Sequence, residues 1–174
     1  MKFLVTLSLS LVLFTVGANA QKIFATRNGK ISFSAPNDDD IKAVNNEVTS
    51  RIADNGQMTF SLLINSFRFK LAEMQEHFND QYLESNKFPR ADFKGNITNL
   101  SAVDFTKDGS YKVSVKGDLT MHGVTKNVTV NGTIDIKGGK PSAQASTVIM
   151  MRDFNISSSK VAEKVSVDID CQYQ

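Results

Sequence analysis

Apolar and polar residues alternate with a period of two through most of this chain, which leaves little choice but antiparallel β-structure with one buried face. Residues 57–65 carry the pattern clearly: Met58, Phe60, Leu62 and Ile64 point one way, Thr59, Ser61 and Asn65 the other, with Leu63 the exception. The same alternation recurs at Tyr111, Val113, Val115, Leu119 and Met121, and at Val128, Val130, Ile134 and Ile136. It returns at Val165, Val167, Ile169, Cys171 and Tyr173. Ala91, Phe93, Gly95 and Ile97 make a further strand, and Ile31, Phe33 and Ala35 an early one. Val44, Val48 and Ile52 also read as a strand, although with Ile41 their spacing suits a helix as well. Asp54-Asn55-Gly56, Lys107-Asp108-Gly109 and Lys137-Gly138-Gly139-Lys140 supply the turns, since Gly and Asn tolerate positive φ.

One segment departs from this period. Leu71, Met74, Phe78 and Tyr82 are spaced three and four apart, which predicts a helix over about residues 70–84 with an apolar stripe. Pro89 stops it, and the pre-proline Phe88 is biased to extended backbone. Apolar residues are even-numbered through Ile64 and odd-numbered at Phe67 and Phe69, so a bulge or bend is expected near Asn65-Ser66. Long strands with one inserted helix predict an all-β fold: an elongated antiparallel β-barrel of about eight strands, whose interior is just wide enough for side chains or one ligand.

Residues 1–20 read as a secretory signal peptide. Lys2 gives a positive start, residues 3–16 an apolar run too short for a comfortable membrane span, and Ala18-Asn19-Ala20 a small-x-small cleavage site. Residues 21–174 would then be one exported barrel domain. A formal net charge of +2 argues against a nucleic-acid partner, which needs a concentrated basic face. One Cys cannot close an internal disulfide, and two His far apart in sequence do not make a zinc site, so no metal and no cofactor is expected.

Three segments carry a family resemblance. Residues 117–128, GDLTMHGVTKNV, resemble the G-x-L-T-(I/M)-H-G-V-T-K-x-V hairpin of the YceI-like family. Residues 84–94, ESNKFPRADFK, resemble its S-x-K-(Y/F)-P-x-A-x-F-K segment, and Arg152-Asp153-Phe154 its R-D-F element, in the expected order. The resemblance implies a lipocalin-like barrel in the bacterial periplasm, some of whose relatives bind polyisoprenoids or other long-chain amphiphiles. Asn155-Ile156 stands where many members have Gly-Ile, and Asn also accepts unusual φ.

Energetics favour a long apolar ligand. Micromolar binding needs about −8 kcal/mol on top of an association cost of about 4–15 kcal/mol. At about 0.8 kcal/mol per buried CH₂, roughly 15–30 carbons must be buried if hydrophobic burial does nearly all the work. The candidate apolar lining is Phe60, Leu62, Ile64, Phe67, Phe69, Met74, Phe78 and Phe93. The competing reading is that these residues simply fill the barrel, leaving a structural or stress-response module that binds through its loops. His122 sits in the hairpin motif, where a turn His followed by Gly reads first as a structural residue and second as a headgroup contact or a catalytic group. Thr120 and Thr125 can join a local network with it. Arg152 and Asp153 can pair at a strand end or reach a headgroup. His77 reads as a surface residue, and Cys171 as a buried small hydrophobe rather than a nucleophile. No Gly-rich phosphate loop or nucleophile elbow appears, so no enzyme is expected. The expected partner is a long-chain lipid or isoprenoid, with a homodimer left open and no stable membrane span.

Overall fold

The computed structural model describes residues 21–35, 38–156 and 162–174, so the expected export segment at 1–20 lies outside the described residues. In chain order the strands are β1 (Ile23–Ala35), β2 (Asp38–Ala53), β3 (Gln57–Leu63), the two-residue β4 (Arg68–Phe69), β5 (Arg90–Ile97), β6 (Gly109–Met121), β7 (Val124–Lys137), β8 (Lys140–Met150) and β9 (Lys164–Gln172). Hydrogen-bonded neighbours run β1-β9-β8-β7-β6-β5-β3-β2, and a β1–β2 pairing closes the circle into an eight-stranded antiparallel barrel. β4 continues the edge of β2 beyond β3, pairing Phe69 with Ala43. The short 3₁₀ turn Ile64–Ser66 between β3 and β4 is the bend expected at Asn65-Ser66.

β2 is one strand, yet its inward residues do not keep a single parity. Val48, Ser50 and Ile52 are buried below an irregularity at 46–47, and Ala43 and Asn45 above it, so Val44 lies off the buried face. Asn45 holds this bulge from inside: its Nδ2 donates to the Leu63 carbonyl at 3.0 Å and its Oδ1 accepts the Glu47 N–H at 2.8 Å. A buried Asn is tolerated there because both ends of its amide are satisfied.

The expected helix is shorter than its stripe predicted. An α-helix α1 spans Ala72–His77, then widens to a π-turn over Phe78–Tyr82. The Leu83 N–H reaches back five residues to Phe78 O, and Ser85 N–H to Asn79 O, around a left-handed Glu84 at φ 43°. Phe78 is buried and Met74 and Tyr82 half-buried, but Leu71 precedes the helix in extended backbone and is 47% exposed, outside the stripe it was assigned to.

The interior has two halves. One end is packed solid by Phe24, Ile52, Ile136, Phe105, Cys171 and Tyr173, with the buried Ser50 and Tyr173 hydroxyls paired at 2.8 Å. Burial pushes the Cys171 thiol up to about 11 and the Tyr173 hydroxyl well above its ordinary range. The other half is surrounded by Leu62, Ile64, Phe67, Phe78, Phe154 and their neighbours, and it contains the cavity. No helix among the described residues is long and apolar enough to cross a membrane.

Candidate functional site

The cavity has a volume of about 520 Å³ and its walls are overwhelmingly apolar. The barrel is therefore not packed solid along its whole length. All eight residues picked from the sequence as lining border on it: Phe60, Leu62, Ile64, Phe67, Phe69, Met74, Phe78 and Phe93. They come from one side, the arc β3–β4–α1–β5. Phe33, Phe67, Phe69 and Phe78 pack against one another, mostly edge to face, with ring centroids 5.0–5.7 Å apart beneath α1. Gly95 leaves room for the Phe93 ring, which would touch any added Cβ.

The rest of the wall comes from strands outside that arc. Leu119, Met121, Val128, Val130, Thr147 and Ile149 also border the cavity. The β6 and β7 residues lie on the alternating runs legible in the sequence, whereas β8 shows no run of large apolar residues. In its paired half the inward residues are Pro141, Ala143 and Ala145, too small to register as an apolar stripe. The signal available was indirect: eight strands cannot close without a partner between β7 and β9.

The polar candidates fall at the same end. His122 and Gly123 form the two-residue turn between β6 and β7, with φ of 50° and 74°. Positive φ at both positions gives the turn type that matches strand twist. A Cβ on Gly123 would lie 2.7 Å from the Phe88 ring, so glycine is required twice over. The His122 side chain is 10% exposed. Its Nδ1 lies 2.9 Å from the Phe154 carbonyl and its Nε2 2.9 Å from a Glu84 carboxylate oxygen, and the Phe88 ring meets it edge-on at 4.7 Å. Both nitrogens are therefore engaged, one by a backbone carbonyl and one by a carboxylate. The three motif segments, far apart in sequence, thus converge on one imidazole. Thr120 and Thr125 bond each other at 2.8 Å on the exposed face instead of joining it.

Arg152 faces solvent and meets Glu163 at 3.9 Å rather than its neighbour Asp153, because consecutive residues of the 3₁₀ turn Met151–Phe154 point apart. Asp153 borders the cavity. Asn155 takes the left-handed conformation at φ 58°, the role anticipated for it in place of Gly. His77 is half-buried with its ring edge toward Tyr82.

The family model of the YceI-like domain matches residues 13–173. The chain belongs to the YceI-like family. It is 32% identical over 119 residues to a UPF0312 protein of Pseudomonas fluorescens, covering 68% of this chain and 52% of that one. It is 31% identical over 105 residues to Protein YceI of Shigella flexneri, covering 56% and 51%. The matches span about half the length of these relatives. Among solved structures, the fold is similar to a polyisoprenoid binding domain from Saccharophagus degradans implicated in plant cell wall breakdown. The TM-score is 0.76 at 12% identity, over 89% of this chain and 99% of that one. It is also similar to Burkholderia cenocepacia BcnA, with a TM-score of 0.62 at 17% identity over 84% and 96%. The YceI-like fold is the fold of this chain.

Proposed function

We propose that this protein is exported and carries or scavenges an amphiphile, holding one long apolar chain inside its barrel. The observation that carries this reading is the apolar cavity of about 520 Å³. Its size falls within the range of small-molecule sites, roughly 300–1,000 Å³. At roughly 30 Å³ per water-sized group, it holds about 17 methylene-sized groups. That meets the lower end of the 15–30 carbons required energetically. A fatty acyl chain of about sixteen carbons or a prenyl chain of three units fits whole, and a longer polyisoprenoid would project from the barrel.

Phe60, Leu62, Ile64, Phe67, Phe69, Met74, Phe78 and Phe93 form the contact wall in this reading. Asp153 and Phe154 of the R-D-F element both border the cavity. His122 acts through structure: both ring nitrogens are engaged by the protein, which leaves neither for substrate. The similarity to a polyisoprenoid binding domain adds support for an apolar ligand. The apolar start of the sequence supports export to the periplasm.

Native mass spectrometry of residues 21–174, purified without detergent from cells supplied with lipid, tests the reading. The expected spectrum shows a single apolar adduct per chain, stripped by organic solvent. Protein that stays ligand-free under lipid supply contradicts it.

A further inference from the structure

The barrel wall parts along the seam between β7 and β8. β7 pairs with β6 over its whole length, from Ile136 opposite Gly109 to Val124 opposite Met121. β8 pairs with β9 up to Met150 opposite Lys164. β7 and β8 pair with each other only from Lys137 opposite Lys140 to Gly132 opposite Ala145. Above that point residues 124–131 and 146–150 are paired on one side only, and among the described residues their facing edges carry N–H and C=O groups with no strand partner.

The cavity follows this parting. Along β6 and β9 only alternate residues border on it, as an intact wall requires. Along 126–130 of β7 and 147–151 at the end of β8, every residue does. Consecutive residues also border on it at 60–62, 91–93, 132–134 and 143–145, where the strands are paired, but at 126–130 and 147–150 no β7–β8 ladder separates the two faces, which leaves the cavity a way out between the strands. The edges are apolar as well as unpaired: Val148 is 55% exposed, and Val128, Val130 and Ile149 are half-buried. One end of the barrel is packed by the core around Tyr173 and Ile136, and at the other Phe33, Phe67, Phe69 and Phe78 pack against one another beneath α1. His122 closes the upper rim of the seam, since it sits at the β7 end and bonds Phe154, just past β8.

We propose that the apolar chain enters and leaves sideways, through a window between β7 and β8 that is bounded below by the Gly132–Ala145 pair and latched above by His122. This rests on the reading that the cavity holds such a chain. Continuing the β7–β8 register places Thr129 opposite Val148 across the window, both on the outer face. A Thr129→Cys, Val148→Cys variant can therefore be bridged by a short bis-maleimide without altering the lining, and Cys171, fully buried, stays out of the reaction.

The probe is cis-parinaric acid, followed by stopped-flow fluorescence. Bridging is expected to slow both uptake and release at least tenfold while leaving Kd within about twofold. The same variant capped singly with N-ethylmaleimide should exchange as the wild type does. Unchanged rates in the bridged protein overturn the window. Failure of unbridged wild-type protein to bind the probe overturns the cavity reading itself, and the window with it. Hydrogen exchange on unsubstituted protein checks the premise independently. Every second amide of 124–131 should exchange at least tenfold faster than those of 132–137, and uniform protection along β7 refutes the parting.

Discussion

Ala91→Phe separates a ligand cavity from an imperfectly packed core. Ala91 lies half-buried on β5, opposite Leu62, and borders the cavity. The substitution adds six ring carbons, which at about 30 Å³ each occupy roughly 180 Å³, a third of the space. Room remains for a chain of roughly 11 carbons in place of 17. A sixteen-carbon acid then leaves about five carbons unburied. At about 0.8 kcal/mol each this costs up to about 4 kcal/mol, several hundredfold in Kd. A ten-carbon acid should bind within a few fold of its wild-type affinity. Displacement of a fluorescent fatty acid by acids of ten to eighteen carbons reads the cut-off directly, and thermal unfolding monitored by circular dichroism reads the stability. The expected result is a shortened cut-off with Tm held or raised, because the ring gains contacts where the wild type has few. If the interior is effectively filled, the ring overpacks it at about 1–3 kcal/mol, lowering Tm by about 2–4 °C per kcal/mol. A fall of that kind, with long and short acids affected alike, refutes the reasoning.

Further outcomes follow from the same geometry. Gly117→Ala forces a methyl into the Lys94 carbonyl and the Gly95 backbone where β5 and β6 meet, and should cost about 1–3 kcal/mol in a urea melt without moving the chain-length cut-off. Cys171 should resist maleimide at pH 8 in folded protein and react once unfolded, because burial holds its thiol at about 11 and it is wholly inaccessible. Its folded value lies above the unfolded one, so its contribution, on the order of 2–3 kcal/mol, is present below pH about 9 and lost as pH rises toward 11; denaturant midpoints across that window check the sign. His122→Gln removes the bonds tying Glu84, Phe154 and the β6–β7 turn together, and should cost about 1–3 kcal/mol of stability in the same melts.

Much of this architecture was legible because large apolar residues on alternate positions mark a wall with one wet face. Phe60, Leu62 and Phe93 could be placed by parity alone, and each borders the cavity. β8 escaped because Pro141, Ala143 and Ala145 make a small-residue row where β7 and β8 pack most closely. Val44 was misplaced because the bulge held by Asn45 switches the inward parity of β2, and a long-range bond to Leu63 leaves no local trace. The helix was drawn too long because its spacing stays apolar through Tyr82 while the backbone widens at Phe78. The three motifs were visible as strings, but their meeting at His122 depends on the barrel bringing Glu84, Phe88 and Phe154 to one end.

Methyl NMR during titration of residues 21–174 with palmitate tests the central claim most directly. The account predicts saturable shifts at one equivalent for the methyls of Leu62, Ile64, Met74, Leu119 and Ile149, which border the cavity, while Ile52 and Ile136 in the solid end stay fixed. No saturable shift, or shifts confined to exposed Ile23, Leu63 and Leu71, would contradict a ligand held inside the barrel.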